Sequence, residues 1–504
     1  MFAHISSGAL IGINACPVSV EIDISRGMPQ MLIVGLPDAS INESRERVRA
    51  ALKASNFEIP LGRIIVNMAP ADLRKEGSYF DLPIAIGILC SSGQLKEVKD
   101  FWLIGELSLN GKLKPCSGVL PIAAAAKENK VTNIIVPKEN GYEAALIEGI
   151  NVYAADSLIE VVEILNSTEK PEALNKYLIP QQEFTSDNSM EFRGQDLRYV
   201  KGQYQAKRAL EIAAAGGHNL LFVGEPGGGK SMLAQCLPSI LPPLNKELAL
   251  EVTKIYSVAG LLQGSGKSVI KDRPFRSPHH SISGAGLIGG GSNPKPGEVS
   301  LAHHGVLFLD ELAEFDKRTL DNLRQPIESG EVIISRARLS VKYPSRFLLI
   351  GACNPYTGTN TKNSKKRLIL SAPLWDRFGL IVWVPPLKPD ELMDFDPQKQ
   401  EGSQNIRERV IRAWEIQEKR FRNIQIGLNN ASMRPEDIKQ FCNFTENASV
   451  LLRNATVSLS LTGRTYDHVL RVSRTIADLS ESELIEEEHI AEAIQYRVSQ
   501  ESLI

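Results

Sequence analysis

The chain has 504 residues, 43% of them hydrophobic and 23% charged, with a formal net charge of -2. That length exceeds what one hydrophobic core serves and predicts roughly two to four domains, while the near-neutral charge excludes a chain-wide basic surface, so any nucleic-acid contact must be local. Six scattered cysteines without a C-x-x-C pair predict reduced thiols rather than a disulfide framework or zinc site, and no apolar run approaches the roughly 18 residues of a membrane span. The expectation is a cytoplasmic protein with no membrane partner.

Residues 1–165 read as an α/β unit. Strands are predicted over Val18–Ile24 by alternation, and over Met31–Val34, Arg63–Asn67 and Trp102–Leu107 by short apolar runs. Helices are predicted over Glu43–Leu52, charged on one side only, and Leu82–Leu89. Residues 166–193 are polar and aperiodic and predict a linker.

Residues 194–397 carry the chemistry. A helix is predicted over Gln205–Ala215, with Val200 and Gly202 before it as an apolar, backbone-mediated cup for an adenine. The apolar run Leu220–Val223 leads into Gly224, Glu225, Pro226, Gly227, Gly228, Gly229, Lys230 and Ser231, a complete G-x-x-x-x-G-K-S phosphate loop. Glycines let backbone N–H groups curl around an anion, Lys230 reaches the outer phosphates and Ser231 offers a hydroxyl to Mg²⁺. The cofactors implied are ATP and Mg²⁺.

The Gly-rich stretch Ser283–Gly297 is expected to be a mobile insert. The pairs His279–His280 and His303–His304 lack the i, i+4 spacing or accompanying cysteines of a metal site, and hydrogen bonding to loop backbone or contact with substrate is expected of them. A second apolar strand, Gly305–Glu311, ends in the carboxylates Asp310 and Glu311, read as a Mg²⁺ ligand and a catalytic base facing opposite ways along the strand. The stretch Gly330–Tyr343 reads as a hairpin whose Arg336, Arg338 and Lys342 can follow a nucleic-acid backbone. A third apolar strand, Phe347–Cys353, ends in Asn354, suited to positioning the attacking water. Arg377 follows an aspartate that can brace it. Residues 398–504 read as a helical lid, with amphipathic helices over Ile406–Phe421 and Ile485–Tyr496 and with Arg464 starting another helix.

Taken together, Gly224 to Ser231, Asp310, Glu311, Asn354, Arg377 and Arg464 resemble an AAA+ ATPase. The stretches Arg273–Ser281, Leu287–Gly291, Pro296–Glu298 and Leu301–Gly305 resemble the magnesium-chelatase-like branch, specifically the ComM/YifB family. Lys75–Gly77, Asp81–Ala85, Gly105–Leu107 and Gly111–Pro115 resemble the frame of a Lon-type protease domain. Ile84 and Leu120 stand where that family has its serine and lysine, so the dyad's chemistry is excluded at those positions; Ser78 and Ser117, the nearby hydroxyls, are expected to serve in turns. The family's cysteine-rich stretch after the sensor asparagine is missing, and Lys362, Lys365, Lys366 and Arg367 occupy that loop.

The resemblance implies an α/β multidomain protein: a Lon-protease-like domain without its dyad at 1–165, a linker at 166–193, an AAA+ P-loop ATPase core at 194–397 and a helical lid at 398–504. It implies a homo-hexameric ATP-driven helicase that promotes branch migration in recombination and natural transformation, with branched or single-stranded DNA and recombination proteins as partners. In such a ring Arg377 acts on the neighbouring subunit's nucleotide and Arg464 on its own. The competing expectation is a chaperone-like motor that remodels a protein partner, as in magnesium chelatase.

Overall fold

The computed structural model describes residues 2–167, 171–181, 195–262, 269–291, 294–336, 339–354, 371–387, 393, 396–422, 424 and 429–498. Among them no helix is long and apolar enough to cross a membrane.

In the N-terminal unit the alternating pattern of Asn14–Ser25 turns Val18, Val20 and Ile22 into the core of a sheet. Its seven strands lie side by side in the order Gln30–Val34, Arg63–Ala69, Asn14–Ser25, Phe2–Ile11, Phe101–Leu103, Asn133–Pro137 and Asn151–Ala155. The predicted strand Trp102–Leu107 divides in two because Gly105 leaves the ladder, its N–H donating to the Tyr79 carbonyl at 2.9 Å while its own carbonyl accepts from Leu82 N–H at 2.9 Å. Helix Ala39–Ala54 starts at Asp38, whose carboxylate accepts the Ile41 N–H at 2.8 Å, and buries Ile41, Val48 and Leu52. Helix Asp81–Ser91 is buried along almost its whole length, and Gly87 is required where it crosses Ile22: a Cβ there would sit 2.0 Å from the isoleucine Cδ1. Ile84 and Leu120 are fully buried in this core.

The expected linker is in part the closing edge of this unit. Helix Pro171–Leu174 buries Leu174, and beyond it Ala154 N–H donates to the Tyr177 carbonyl and Ile179 N–H to the Val152 carbonyl, both at 2.9 Å. The apolar residues among the polar ones, Leu174, Tyr177 and Ile179, explain the difference, since each packs on the N-terminal core. Residues 168–170 and 182–193 of that stretch lie outside the described residues.

The second unit is built on five parallel strands in the order Phe275–Arg276, Val306–Leu309, Leu348–Cys353, Leu220–Gly224 and Leu380–Val384. Such a sheet, covered on both faces, requires continuous apolar strands, and Leu220–Gly224 and Leu348–Cys353 are buried throughout. The C-terminal helices share its core: Ile406, Val410, Val469, Ile476 and Ile490 belong to the same buried cluster as Phe222, Phe308 and Ile350. Helices Ser403–Phe421 and Gly463–Leu479 close the end of helix Tyr204–Gly216, where Trp414 donates to the Ala214 carbonyl at 2.9 Å and Gln417 to that of Ala215 at 2.8 Å. The described residues of the Gly-rich stretch have local structure of their own. They form helix Gly284–Ile288, N-capped by Ser283, and a small ladder pairing Gly289 with Pro296 and Gly290 with Lys295.

Helix Lys246–Ala259 joins the two units. Its Ser257 carbonyl accepts the Gly118 N–H at 3.0 Å, and its Ser257 hydroxyl donates to Glu143, a buried carboxylate that also accepts from Leu120 N–H at 3.1 Å and from Asn140 at 2.9 Å. Burial raises the Glu143 carboxyl above its usual range, and these donors oppose the rise. A second contact packs Ile13, in the first turn of the N-terminal unit, into the cluster holding Val332, Ile334, Val341 and Tyr343 of the hairpin Glu331–Arg336 and Leu339–Pro344. Glu143→Ala strands three buried donors and is expected to lower stability by about 2 kcal/mol, read as an earlier first transition in urea; an unchanged transition would contradict the proposed role of the carboxylate as the joint between units.

Candidate nucleotide site

Because all five strands run the same way, their carboxyl ends converge on one edge. Gly224 must be glycine there, since a Cβ would lie 2.1 Å from the Val384 carbonyl oxygen. Gly227 and Gly229 have φ of 84° and 87° with open space around them, so it is backbone conformation, not room, that demands glycine. The turn opens helix Lys230–Ile240, whose first N–H groups face the loop. The Lys230 ammonium donates to the Gly224 and Glu225 carbonyls at 2.8 Å each and to Asn354 Oδ1 at 3.0 Å; these oxygens stand where phosphate oxygens would accept. Burial pulls its pKa below the usual lysine value. Since the strand Leu348–Cys353 lies between the phosphate-loop strand and Val306–Leu309, Asn354 sits between loop and acids.

Ser231 Oγ donates to Asp310 Oδ2 at 2.6 Å, bringing together the hydroxyl and carboxylate a Mg²⁺ ion would use. This pair, the lysine and the glycine turn fit a nucleotide triphosphate with its metal. Asp310 and Glu311 do not face opposite ways along a strand, because the strand ends at Leu309. Glu311 instead takes a left-handed backbone, φ 49°, with its N–H bonded to Asp310 Oδ1 at 2.9 Å. That conformation costs of order 1 kcal/mol or more in a non-glycine residue and turns the Glu311 side chain outward, 60% exposed and 3.5 Å from His280 Nδ1. His280 was not read as part of the site from sequence.

Of the two residues expected to cup an adenine, Val200 is buried and Gly202 has φ 54°. The residue sequence reasoning missed is Gln203, left-handed at φ 55°, whose amide donates to the Gly228 carbonyl at 3.2 Å and the Pro385 carbonyl at 2.7 Å, tying this segment to the phosphate loop.

The two arginines lie at the other edge. Asn219, just before the phosphate-loop strand, donates to the Arg377 carbonyl at 3.0 Å, and its own carbonyl accepts from Gly379 N–H at 2.9 Å. Arg377 is therefore one strand length from its own phosphate loop, about 16 Å for five residues at roughly 3.3 Å each. Its brace is Glu328, not the adjacent aspartate. Asp376 pairs instead with Arg464, at 3.6 Å, which puts Arg464 at the amino edge, away from its own chain's phosphate loop. The reason is the packing of helix Gly463–Leu479: His468 meets the Asp376 carbonyl at 3.0 Å and Thr475 meets His218 at 2.7 Å, so the helix begins at the amino edge.

Among the predicted nucleic-acid contacts, Lys342 is exposed on the outer face of the hairpin and 3.8 Å from Glu331. Arg336 ends the first strand, its side chain outside the described residues, as is all of Arg338. The basic loop of Lys362, Lys365, Lys366 and Arg367 also lies outside them.

His303, His304 and Glu251 bring their donor atoms within 4.8 Å of one another. His303 Nδ1 accepts the Arg346 N–H at 2.9 Å, so the neutral ring carries its proton on Nε2, 3.3 Å from Glu251 Oε1, and has no lone pair there for a metal. The cluster is a clamp between helix Lys246–Ala259 and the turn that starts the Asp310 strand. Burial lowers His303 to about 4 and His218 to about 3, against roughly 6.5 in an unfolded chain. Below pH 6.5 the unfolded chain gains protons the fold refuses, so this stabilisation is complete above 6.5 and is lost as pH falls toward those values. His303→Asn keeps the acceptor for Arg346 and removes one such group. Between pH 7.5 and 5.5 its melting temperature is expected to fall less than that of the parent, by the equivalent of about 1 kcal/mol; parallel declines would contradict a neutral buried His303. Lys230→Ala is expected to abolish binding of a fluorescent ATP analogue with the fold retained by circular dichroism; undiminished binding would refute the site.

Three family models match in chain order: subunit ChlI of Mg-chelatase over residues 20–140, magnesium chelatase subunit ChlI over 196–392, and the ChlI C-terminal region over 400–497. The competence protein ComM of Haemophilus influenzae is 43% identical, covering 98% of this chain and 97% of its own length. The protein YifB of Escherichia coli is 41% identical, with 98% and 97% covered. The magnesium-chelatase 38 kDa subunit of Cereibacter sphaeroides is 28% identical over 37% of this chain and 57% of its own length. The mixed α/β architecture, with its parallel sheet and helical C-terminal region, fits the magnesium-chelatase-like AAA+ fold. On full-length identity to these relatives, the chain belongs to the ComM/YifB family of magnesium-chelatase-like proteins.

Proposed function

We propose that the chain is a Mg²⁺-dependent ATPase that works as a homo-hexameric ring, translocating branched or single-stranded DNA and promoting branch migration in homologous recombination and natural transformation. The observation that carries this reading is the division of the site: the phosphate loop on the carboxyl edge of the sheet, Arg377 and Arg464 on the amino edge. Neither arginine reaches its own loop, so each serves a neighbour, and a ring supplies every loop with one.

In this reading Lys230 grips the outer phosphates and Ser231 with Asp310 holds the metal. Mg²⁺ bound there neutralises the phosphates and orients them for in-line attack. Glu311 draws the proton from the attacking water, its left-handed backbone aiming the carboxylate away from the metal-binding Asp310. Asn354, already within reach of the lysine at 3.0 Å, orients that water. Arg377 and Arg464 of the adjacent subunit meet the charge that develops as the terminal phosphate leaves. The DNA assignment draws on the outward Lys342 of the hairpin, the neighbouring Arg336 and Arg338, and a relative named as a competence protein. The Lon-like character of the N-terminal unit and the boundaries 194–397 and 398–504 belong to this reading as well, with residues 171–181 closing the N-terminal unit.

Glu311→Gln is expected to bind ATP while turnover falls at least about a hundredfold; persistent turnover would remove Glu311 from the role of base. In a four-way-junction assay the parent protein is expected to drive branch migration only with ATP, and salt is expected to weaken its DNA binding steeply. If junction and single-stranded DNA neither bind nor stimulate ATP turnover, the DNA reading fails and a protein-remodelling motor takes its place.

A further inference from the structure

The amino edge holds a third arginine. Arg324 and Glu328 are one turn apart on helix Arg324–Ser329 and so share a face. Glu328 touches Arg377, which directs that face to the same place. A cavity of about 750 Å³ opens there, lined by Arg324, Glu328, Arg377, Arg464 and Ile333. Its acidic lining is already engaged: Glu328 with Arg377, and Asp321 with the Ser371 hydroxyl at 2.7 Å. The Arg377 Nε is buried without a hydrogen-bond partner among the described residues. Arg324 is exposed. Burial first, and then the charges of Arg464 and Arg324, lower the Arg377 pKa, as expected for cations that face one another. Arg464 also stands in the first turn of its helix, where the macrodipole disfavours a cation. Three arginines thus converge on an open cavity, two of them each sharing one carboxylate, Arg377 with Glu328 and Arg464 with Asp376.

We propose that Arg324 is a further catalytic arginine of the shared site, touching the neighbouring subunit's nucleotide phosphates beside Arg377 and Arg464. This rests on the ring reading above. Across the boundary, the three guanidinium groups and the neighbour's Lys230 enclose the phosphates from opposite sides, and each planar fork grips two oxygens. Glu328 holds Arg377 in the unassembled chain, and the arriving phosphate competes for it.

The test uses the full-length chain and complementation. Arg324→Ala and Arg377→Ala each keep an intact phosphate loop and lose part of the arginine face, while Lys230→Ala loses the loop and keeps the face. ATP turnover, half-saturating ATP and assembly mass are measured for each variant alone and for equimolar mixtures. The expected result is that Arg324→Ala assembles, loses roughly tenfold or more in turnover, and regains a substantial part of it when mixed with Lys230→Ala, as Arg377→Ala does. Arg324→Lys is expected to be intermediate. If Arg377→Ala is lost and complemented but Arg324→Ala keeps turnover within twofold of the parent, or is lost without being complemented, or fails to assemble even in the mixture, the assignment of Arg324 is overturned while the ring reading stands. If Arg377→Ala itself turns over normally, or is not complemented, the ring reading falls and takes the Arg324 assignment with it.

Discussion

Asn219 stands one residue ahead of the phosphate-loop strand, and its side chain bonds the Arg377 carbonyl at 3.0 Å and the Leu349 N–H at 2.9 Å. With the Gly379 and Leu380 N–H groups on its own carbonyl, it locks the starts of three parallel strands together. Everything about the site follows from the polarity this imposes. The strands deliver Gly224, Asp310 and Asn354 to one edge and keep Arg377 at the other, and no movement of a side chain closes a gap of about 16 Å. The two halves of the proposed site therefore lie on opposite edges of one rigid sheet.

The N-terminal unit is coupled to this sheet by contacts that also touch the chemistry. Helix Lys246–Ala259 holds Glu143 through Ser257 near one end, and through Glu251 it grips the His303–His304 turn that begins the Asp310 strand. The Ile13 turn braces the hairpin that carries Lys342. A displacement of either contact reaches the acid pair or the hairpin through packed side chains and buried hydrogen bonds rather than through open loops. Ile84 and Leu120, which stand where the resemblance puts a serine and a lysine, are packed into the core of this unit.

What was legible in the sequence was local. The phosphate loop declares itself because its glycines, lysine and serine do their work within eight residues, and Asp310 and Asn354 because each ends an apolar strand. The position of Arg464 at the amino edge was not legible, since it depends on how a helix more than a hundred residues beyond strand Leu348–Cys353 packs against His218 and Asp376. The brace on Arg377 was misread for the same reason: its sequence neighbour Asp376 turns to Arg464, and Glu328 comes from a separate helix. Glycine content did not reveal the close approach at Gly297, where a Cβ would lie 2.3 Å from the Gly289 nitrogen. Polar composition likewise concealed Leu174, Tyr177 and Ile179, the residues that tie the supposed linker to the N-terminal core.

The claim that one chain holds two incomplete half-sites is tested most directly by ATP turnover per chain across a dilution series, with the mass of the assembly measured in the same samples. The account predicts that turnover per chain falls toward zero as rings give way to single chains, and that it recovers on reconcentration. A single chain that hydrolyses ATP at the rate of the assembled protein would contradict it.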